Sequence, residues 1–207
     1  WSWKSNPWTK AKRLQAVDFT RADVLREVWT SLRSALVFGT LFGVVYAGLP
    51  IVKLEQKGVG AALEFSAWLL FLLVVHDTYF YWAHRFAHHP RVYGWLHSVH
   101  HQSRNPSPFA ALSFGTLDAV VQVVWAVPIV RFVPVPSLVW LVFSFLAIAI
   151  NVMGHCGVEP WPVSWQRHPV LKWLNFATMH NQHHLQVRGN YGLYSSAWDR
   201  WMGTLLS

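Results

Sequence analysis

Sulfur and charge are both scarce in this chain. A single cysteine, Cys156, excludes an intrachain disulfide and says little about compartment. Charged residues make up 13% of the 207 residues, about half the usual share for a soluble domain. The acidic side is the poorer one, with nine Asp and Glu against seventeen Lys and Arg and a net charge of +8. No recognised nucleic-acid motif accompanies these scattered cations, so nucleic acid is not an expected partner. Attraction to anionic lipid headgroups is the simpler account. There is no low-complexity tract, no repeat at periods of about 20 to 50 residues, and no Gly-x-Gly-x-x-Gly opening a helix after a strand.

What is abundant is apolar. Hydrophobic residues make up 53% of the chain, mean hydropathy is +0.25, and the apolar residues sit in long runs, as in a membrane protein. At this length one domain, residues 1–207, is expected. The chain opens on Trp1 rather than methionine, which points to a trimmed or incompletely covered amino terminus, and no signal peptide is visible in what remains. Residues 1–33 interleave Lys4, Lys10, Lys12, Arg13, Arg21, Arg26 and Arg33 with Trp1, Trp3, Trp8 and Trp29, a composition that favours the membrane interface.

Four spans are expected. Ser34 to Val52 carries no charge and, as a helix, is about 28 Å long, enough to cross the hydrocarbon core. Ala61 to Ala83 is the second and Ser137 to Met153 the fourth. Between them Leu112 to Val130 is a third candidate, interrupted by Asp118 and Pro128. Short turns pair these into two helical hairpins, so the fold class is all-α and integral to the membrane. With a cytoplasmic amino terminus, both hairpins return the chain to the cytoplasm. Arg85, Arg91, Arg104, Arg167, Lys172, Arg188 and Arg200 then lie inside with the basic tail, against Lys53, Lys57 and Arg131 outside, which is the positive-inside pattern. Trp161, Pro162, Trp165, Pro169 and Trp173 read as packing at the headgroup boundary.

The segments that return to the cytoplasm carry the histidines. His84 to His101 reads HRFAHHPRVYGWLHSVHH and holds six of the chain's twelve. His84 and His88 are four apart and leave one face of a helix. In His97-Ser98-Val99-His100-His101 the first and second imidazoles are co-facial, while His101 is turned by about 100°. The same spacing returns at His180-Asn181-Gln182-His183-His184. Two copies of the triplet plus an i, i+4 pair ask for metal, and one such helix can serve two ions. Imidazole suits zinc, copper, iron and nickel alike, and a structural zinc site would close with four ligands.

The order His-x-x-x-His, His-x-x-His-His, His-x-x-His-His resembles the fatty acid hydroxylase and sterol desaturase superfamily of membrane di-iron enzymes. The flanks agree: Asp77-Thr78-Tyr79-Phe80-Tyr81-Trp82-Ala83-His84-Arg85 before, and Asn190-Tyr191-Gly192 with Trp198-Asp199-Arg200-Trp201-Met202-Gly203-Thr204 after. The resemblance runs from about Ala61 to Thr204. Within it, His100-His101-Gln102-Ser103, Pro106, Pro108-Phe109-Ala110 and Leu117-Asp118 are most similar to the sterol C-5 desaturase branch. Gly115-Thr116 stand where that branch tends to carry His-Pro, which weakens the carry-over of a sterol substrate but not of the metal site.

The resemblance implies two iron ions, with zinc as a possible substitute in a structure, and dioxygen as co-substrate. It implies nine ligands: His84, His88, His97, His100, His101, His180, His183 and His184 from the clusters, and His155 at the cytoplasmic end of the fourth span. Asp77 is a candidate to orient a ligand imidazole, His89 to stand behind the ligands or at the interface, and Asn151, four before His155, to act as a weak or water-mediated ligand. Phe109, Phe114 and Tyr191 are candidate walls of a substrate pocket that opens to the membrane.

The implied reaction is desaturation or hydroxylation of a lipid C–H bond, sterol-like first, with a fatty acid or sphingolipid hydroxylase as the nearest alternative. Neither His-Pro pair is followed by two glycines as in a fused haem domain. Electrons are therefore expected from a separate carrier, a small haem protein or ferredoxin, and the basic face suits an acidic one. A membrane metal-binding or transport protein is the alternative of another class. It would need polar ligands within the spans, whereas these clusters follow them.

Overall fold

The computed structural model describes residues 6–47, 49 and 51–206. Trp1, Trp3 and Lys4 of the basic tail lie outside them. The described residues form α-helices and short 3-10 turns with no strand, only the isolated bridges Arg13 to Val158 and Leu174 to Ser195.

After a short α1 (Pro7–Ala11), the first long helix is α2 (Arg21–Tyr46). It starts well before the expected Ser34 because Thr20 and Asp23 form a reciprocal capping box. It ends at Tyr46, short of the expected Val52, and positions 48 and 50 of that expected span lie outside the described residues. The second, α3 (Gly58–Ala87), ends at His88. His89, held extended ahead of Pro90, opens α4 (Pro90–Leu96). The chain then passes through 3-10 turns at His100–Gln102 and Pro108–Leu112.

The expected span Leu112 to Val130 is not one helix. It is α5 (Thr116–Val124) and α6 (Ala126–Phe132), broken at Trp125. Pro128 has no N–H to give the carbonyl of Val124, and its ring crowds that carbonyl, so the break falls one turn before the proline. The last long helix, α7 (Ser137–His155), begins after Pro136. The remaining elements are α8 (Val163–Arg167), a 3-10 turn at Leu171–Trp173, α9 (Ala177–Gln186) and α10 (Ala197–Trp201).

Among the described residues three helices, α2, α3 and α7, are long and apolar enough to cross a membrane. Their outward faces carry Leu36, Val44, Leu63, Leu70, Val74, Leu141 and Phe145, all exposed, as lipid contact requires. Inside, Leu72, Trp125, Ala126, Val139, Trp140 and Phe143 form one apolar core where α3 and α7 meet the break between α5 and α6.

A polar seam on α2 fixes the segment beneath the histidines. Glu27 accepts from the backbone and hydroxyl of Ser107, Thr30 pairs with the Ser113 hydroxyl, and Ser34 exchanges hydrogen bonds with the backbone of Phe114. All three α2 residues are buried, so these bonds are shielded from competing water. Thr20→Ala, which removes one side of the capping box, should lower stability by about 1 kcal/mol in a thermal melt of the detergent-solubilised protein. Metal content should stay the same, because the cap stands at the far end of the seam.

Candidate metal centre

The nine histidines converge from five places in the fold. His84 comes from the last turn of α3 and His88 from its C-cap, His97 from the C-cap of α4, His100 and His101 from the following 3-10 turn, His155 from the end of α7, and His180, His183 and His184 from α9. They separate into two groups of donor atoms, each group within 4.8 Å: His84, His88, His97, His101 and His183 in one, His100, His155, His180 and His184 in the other.

The division departs from the helical-wheel expectation. His97 and His100 do not share a group, and neither do His180 and His183 at the same i, i+3 spacing. His97 joins His101 instead. In α9, which stays helical, His180 and His184 pair at i, i+4 and His183 crosses over. Each triplet therefore gives its outer two imidazoles to one group and its middle one to the other.

Most of the rings are aimed by a hydrogen bond through Nδ1. One turn does this for three of the five rings in the first group. The Nδ1–H groups of His88, His183 and His84 donate to the carbonyls of Val187, Gly189 and Tyr191 at 3.1, 2.7 and 2.9 Å. The turn needs left-handed backbone at Val187, Gly189 and Asn190. Gly189 also needs to lack a side chain, since a Cβ there would stand 2.6 Å from the carbonyl of Thr204. Asp199 holds the strand-like exit of the turn by accepting from the N–H groups of Tyr191 and Gly192. His97 donates to Asp118 at 2.7 Å with both side chains essentially unexposed, and Gln122 donates to the other oxygen of Asp118. In the second group, His100 donates to the carbonyl of Ser113 and His155 to that of Asn151.

With Nδ1 protonated and bonded, Nε2 carries the lone pair. The Nε2 atoms face one another, those of His101 and His184 included, whose buried Nδ1 has no partner among the described residues: His88 and His183 each lie 3.1 Å from His101, and His155 lies 3.4, 3.0 and 3.1 Å from His100, His180 and His184, all measured between Nε2 atoms. The Nε2 atoms of His84 and His97 are buried with no partner among the described residues. Two donors on one ion at about 2.1 Å, separated by 90 to 109°, would lie about 3.0 to 3.4 Å apart, so the spacing fits a shared cation. The protonation state fits as well. Burial holds His100, His101, His180, His183 and His184 below the ordinary imidazole range, and His88 is pushed down to about 3 by the same cause. Neutral imidazole is the form that binds metal.

The other expected site residues fall differently. Asp77 orients no imidazole. Its carboxylate accepts from the N–H groups of Tyr194 and Ser195 and the Ser195 hydroxyl at 2.9, 3.3 and 2.5 Å, because that segment lies against its face of α3. His89 faces outward and caps α4 by accepting from the N–H of Arg91, so it does not stand behind the donors. The side chain of Asn151 is committed to the carbonyl of Ala111, while its own carbonyl holds His155. Asp118 and the 187–191 turn are the supports that motif reading passed over. The signals for them were a lone carboxylate in an apolar run and a Gly-Asn pair.

An apolar cleft of about 720 Å³, its open mouth included, runs between α2, α3, α5 and α7 beside the donors. Phe114 lines it and stacks on His100 at 4.9 Å, and Phe80 lines it and meets His84 edge-on at 5.2 Å. Phe109 is 41% exposed and outside the cleft. Tyr191 packs its ring against His84, His88 and His183 rather than lining the cleft.

A helical chain with apolar spans and two abutting cages of neutral imidazoles defines a polyhistidine metal-binding protein of the membrane type. The chain belongs to the fatty acid hydroxylase family, which matches residues 69–204. It is 35% identical to a Delta(7)-sterol 5(6)-desaturase of Gibberella zeae over 72% of this chain and 40% of that protein. It is 36% identical to one of Aspergillus fumigatus over 69% and 37%, and 32% identical to human lathosterol oxidase over 64% and 42%. The chain thus spans about two fifths of the length of these relatives. No solved structure matches it.

Two predictions follow from the geometry. Asp118→Asn should weaken metal binding by about 10- to 100-fold, read by metal titration of the purified protein, with helical content unchanged. The metal-free chain should lose stability as pH falls. The six imidazoles that burial holds low, His88, His100, His101, His180, His183 and His184, stay neutral in the fold but titrate near 6.5 when unfolded, so below that pH the unfolded state binds more protons. The slope of stability against pH between 7 and 5 should exceed the roughly 1.4 kcal/mol per unit that a single proton gives, as measured by denaturant titration.

Proposed function

We propose that the chain is the catalytic region of a membrane oxidase that desaturates or hydroxylates a lipid C–H bond, with a sterol-like substrate favoured. The observation that carries this is the cleft: an apolar groove among the membrane helices whose walls, Phe80 and Phe114, touch a donor ring from each histidine group. The sequence similarity to sterol desaturases supports the same class of substrate.

Under this reading the nine histidines hold two iron ions, which supply dioxygen reduction and cleavage of an unactivated C–H bond when bound. Desaturation consumes dioxygen, two electrons and two protons and releases two waters as a CH–CH unit becomes C=C. Hydroxylation consumes the same set and releases one water as C–H becomes C–OH. The chain's own part is positional. The carbonyls of Val187, Gly189 and Tyr191 and the carboxylate of Asp118 accept from Nδ1 of His88, His183, His84 and His97 and leave Nε2 of those four rings bare. Phe80, Phe114 and Phe143 keep the cleft dry and press the lipid toward the donors.

The crossing pattern belongs to the proposal. Asp118, near the start of α5, meets His97, while the start of α7 meets the far loop through the Ser137 N–H to the Val52 carbonyl at 2.9 Å. The α5 and α6 pair therefore carries the chain from the donor end to the opposite end, and we read it as a kinked fourth crossing, with residues 1–207 as one domain and the donors on the cytoplasmic side. Electrons come from a separate acidic carrier, a small haem protein or ferredoxin. His88 is the least buried donor, and exposed Arg85, Arg91 and Arg188 flank it or the Val187 carbonyl that holds it.

Iron-loaded protein in lipid vesicles, given a reductant, a 7-unsaturated 3-hydroxysterol and ¹⁸O-labelled dioxygen, should yield a new double bond with the label in water, or a labelled hydroxyl. Product only from acyl lipids would support the fatty acid or sphingolipid alternative. No oxidised lipid, together with one tightly held zinc per chain, would overturn the oxidase reading. Metal flux across the vesicles would favour transport. Reversing charge at Arg91 and Arg188 to Glu should slow electron delivery several-fold at low salt and little at high salt. Equal rates at both ionic strengths would remove the docking face from the proposal.

A further inference from the structure

His76 has no place among the metal donors, yet it is 8% exposed on a membrane helix and lines the cleft. Its ring is held on every side. It stacks on Trp125 at 4.5 Å and 13°, and meets Phe80, Phe143 and Tyr194 edge-on. Its Nδ1 is 2.7 Å from the hydroxyl of Tyr194. The backbone of Tyr194 is in turn fixed by Asp77, the neighbour of His76 on α3. Nε2 has no hydrogen-bond partner among the described residues. A ring nitrogen left unpaired on the wall of an apolar cleft is a polar atom without compensation. The other polar amides on the cleft wall are already engaged, Gln122 with Asp118 and Asn151 with Ala111.

Resting on the reading of the cleft as the lipid site, we propose that His76 Nε2 binds a neutral hydroxyl on the substrate and so sets which lipids are accepted. A hydroxyl is both donor and acceptor, so it satisfies Nε2 in either tautomer, whereas a keto oxygen serves only when Nε2 carries the proton. None of the residues lining the cleft is Lys or Arg, so a carboxylate would enter without a counter-charge. The class selected is therefore a hydroxylated neutral lipid, with free fatty acids disfavoured. His76 acts as a specificity-determining residue, with Trp125 and Tyr194 holding its ring in register.

The test is equilibrium binding of tritiated probes to the full chain in detergent, with and without metal. The probes are cholest-7-en-3β-ol, its 3-deoxy and 3-keto counterparts, and palmitate. Wild type should prefer the alcohol over the deoxy compound by about tenfold and bind palmitate least. His76→Phe should erase the preference while keeping the deoxy compound bound. His76→Gln should retain part of it, and Tyr194→Phe, which frees the ring, should reduce it. Wild-type binding without a hydroxyl preference overturns the proposal, as does a preference that survives in His76→Phe. Should His76→Phe fail to fold, an undiminished preference in Tyr194→Phe overturns it and a reduced one supports it. Selective binding of the alcohol without any oxidation of it by the iron-loaded protein would sink the oxidase reading and leave this inference standing.

Discussion

The structure depends on the convergence of imidazole nitrogens from distant parts of the chain, Nε2 facing Nε2 across about 3 Å with no carboxylate in either group among the described residues. A pair at that distance can share a proton, but a cation would tie all the donors of a group together at once. The rest of the architecture brings them there. Two long helices deliver His84, His88 and His155 at their ends, α9 and the His97–His101 bend fill the remaining directions, and main-chain carbonyls lock the rings against rotation.

How much of this was legible in the sequence depends on whether an element obeys a regular period. The His84 and His88 pair follows the helix, and its co-facial placement could be read from spacing alone, whereas in the triplets spacing pointed to the i, i+3 pair and it is the i, i+4 pair that shares a group. The His97–His101 triplet divides in this way even though a helix ends at Leu96 and a 3-10 turn follows. Pro128 was visible as an interruption, and it divides the third apolar stretch into two short helices. Asp118, seen as an interruption too, is a support of His97, since a carboxylate can enter an apolar helix only where it has a buried partner. Asp77 sits as close in sequence to the motif, but the 194–195 backbone offers nearer donors than any imidazole. The carbonyl contacts of residues 187–191 leave no trace in side-chain chemistry, apart from the glycine and asparagine that let the chain turn left-handed.

The cleft joins the membrane half of the molecule to the donor half. Its aromatic walls belong to both: Phe80 stands one turn before His84 on the same helix, and Phe114 directly follows Ser113, whose carbonyl holds His100. Side chains that shape the apolar space are thus covalent neighbours of those that aim the nitrogens. A change of volume in the groove is transmitted to ring orientation, because packed interiors shift as units rather than absorbing strain locally.

The exchange of middle imidazoles between the two triplets has a structural cost and a benefit. His100 belongs with the α9 pair and His183 with the pair from the bend, so the two cages are stitched through each other like interlocked fingers. Neither can be pulled apart while the other stays whole. Filling one would arrest motion in both strands of the stitch and leave the vacant neighbour already half assembled, so that the second ion arrives at a lower entropic penalty than the first.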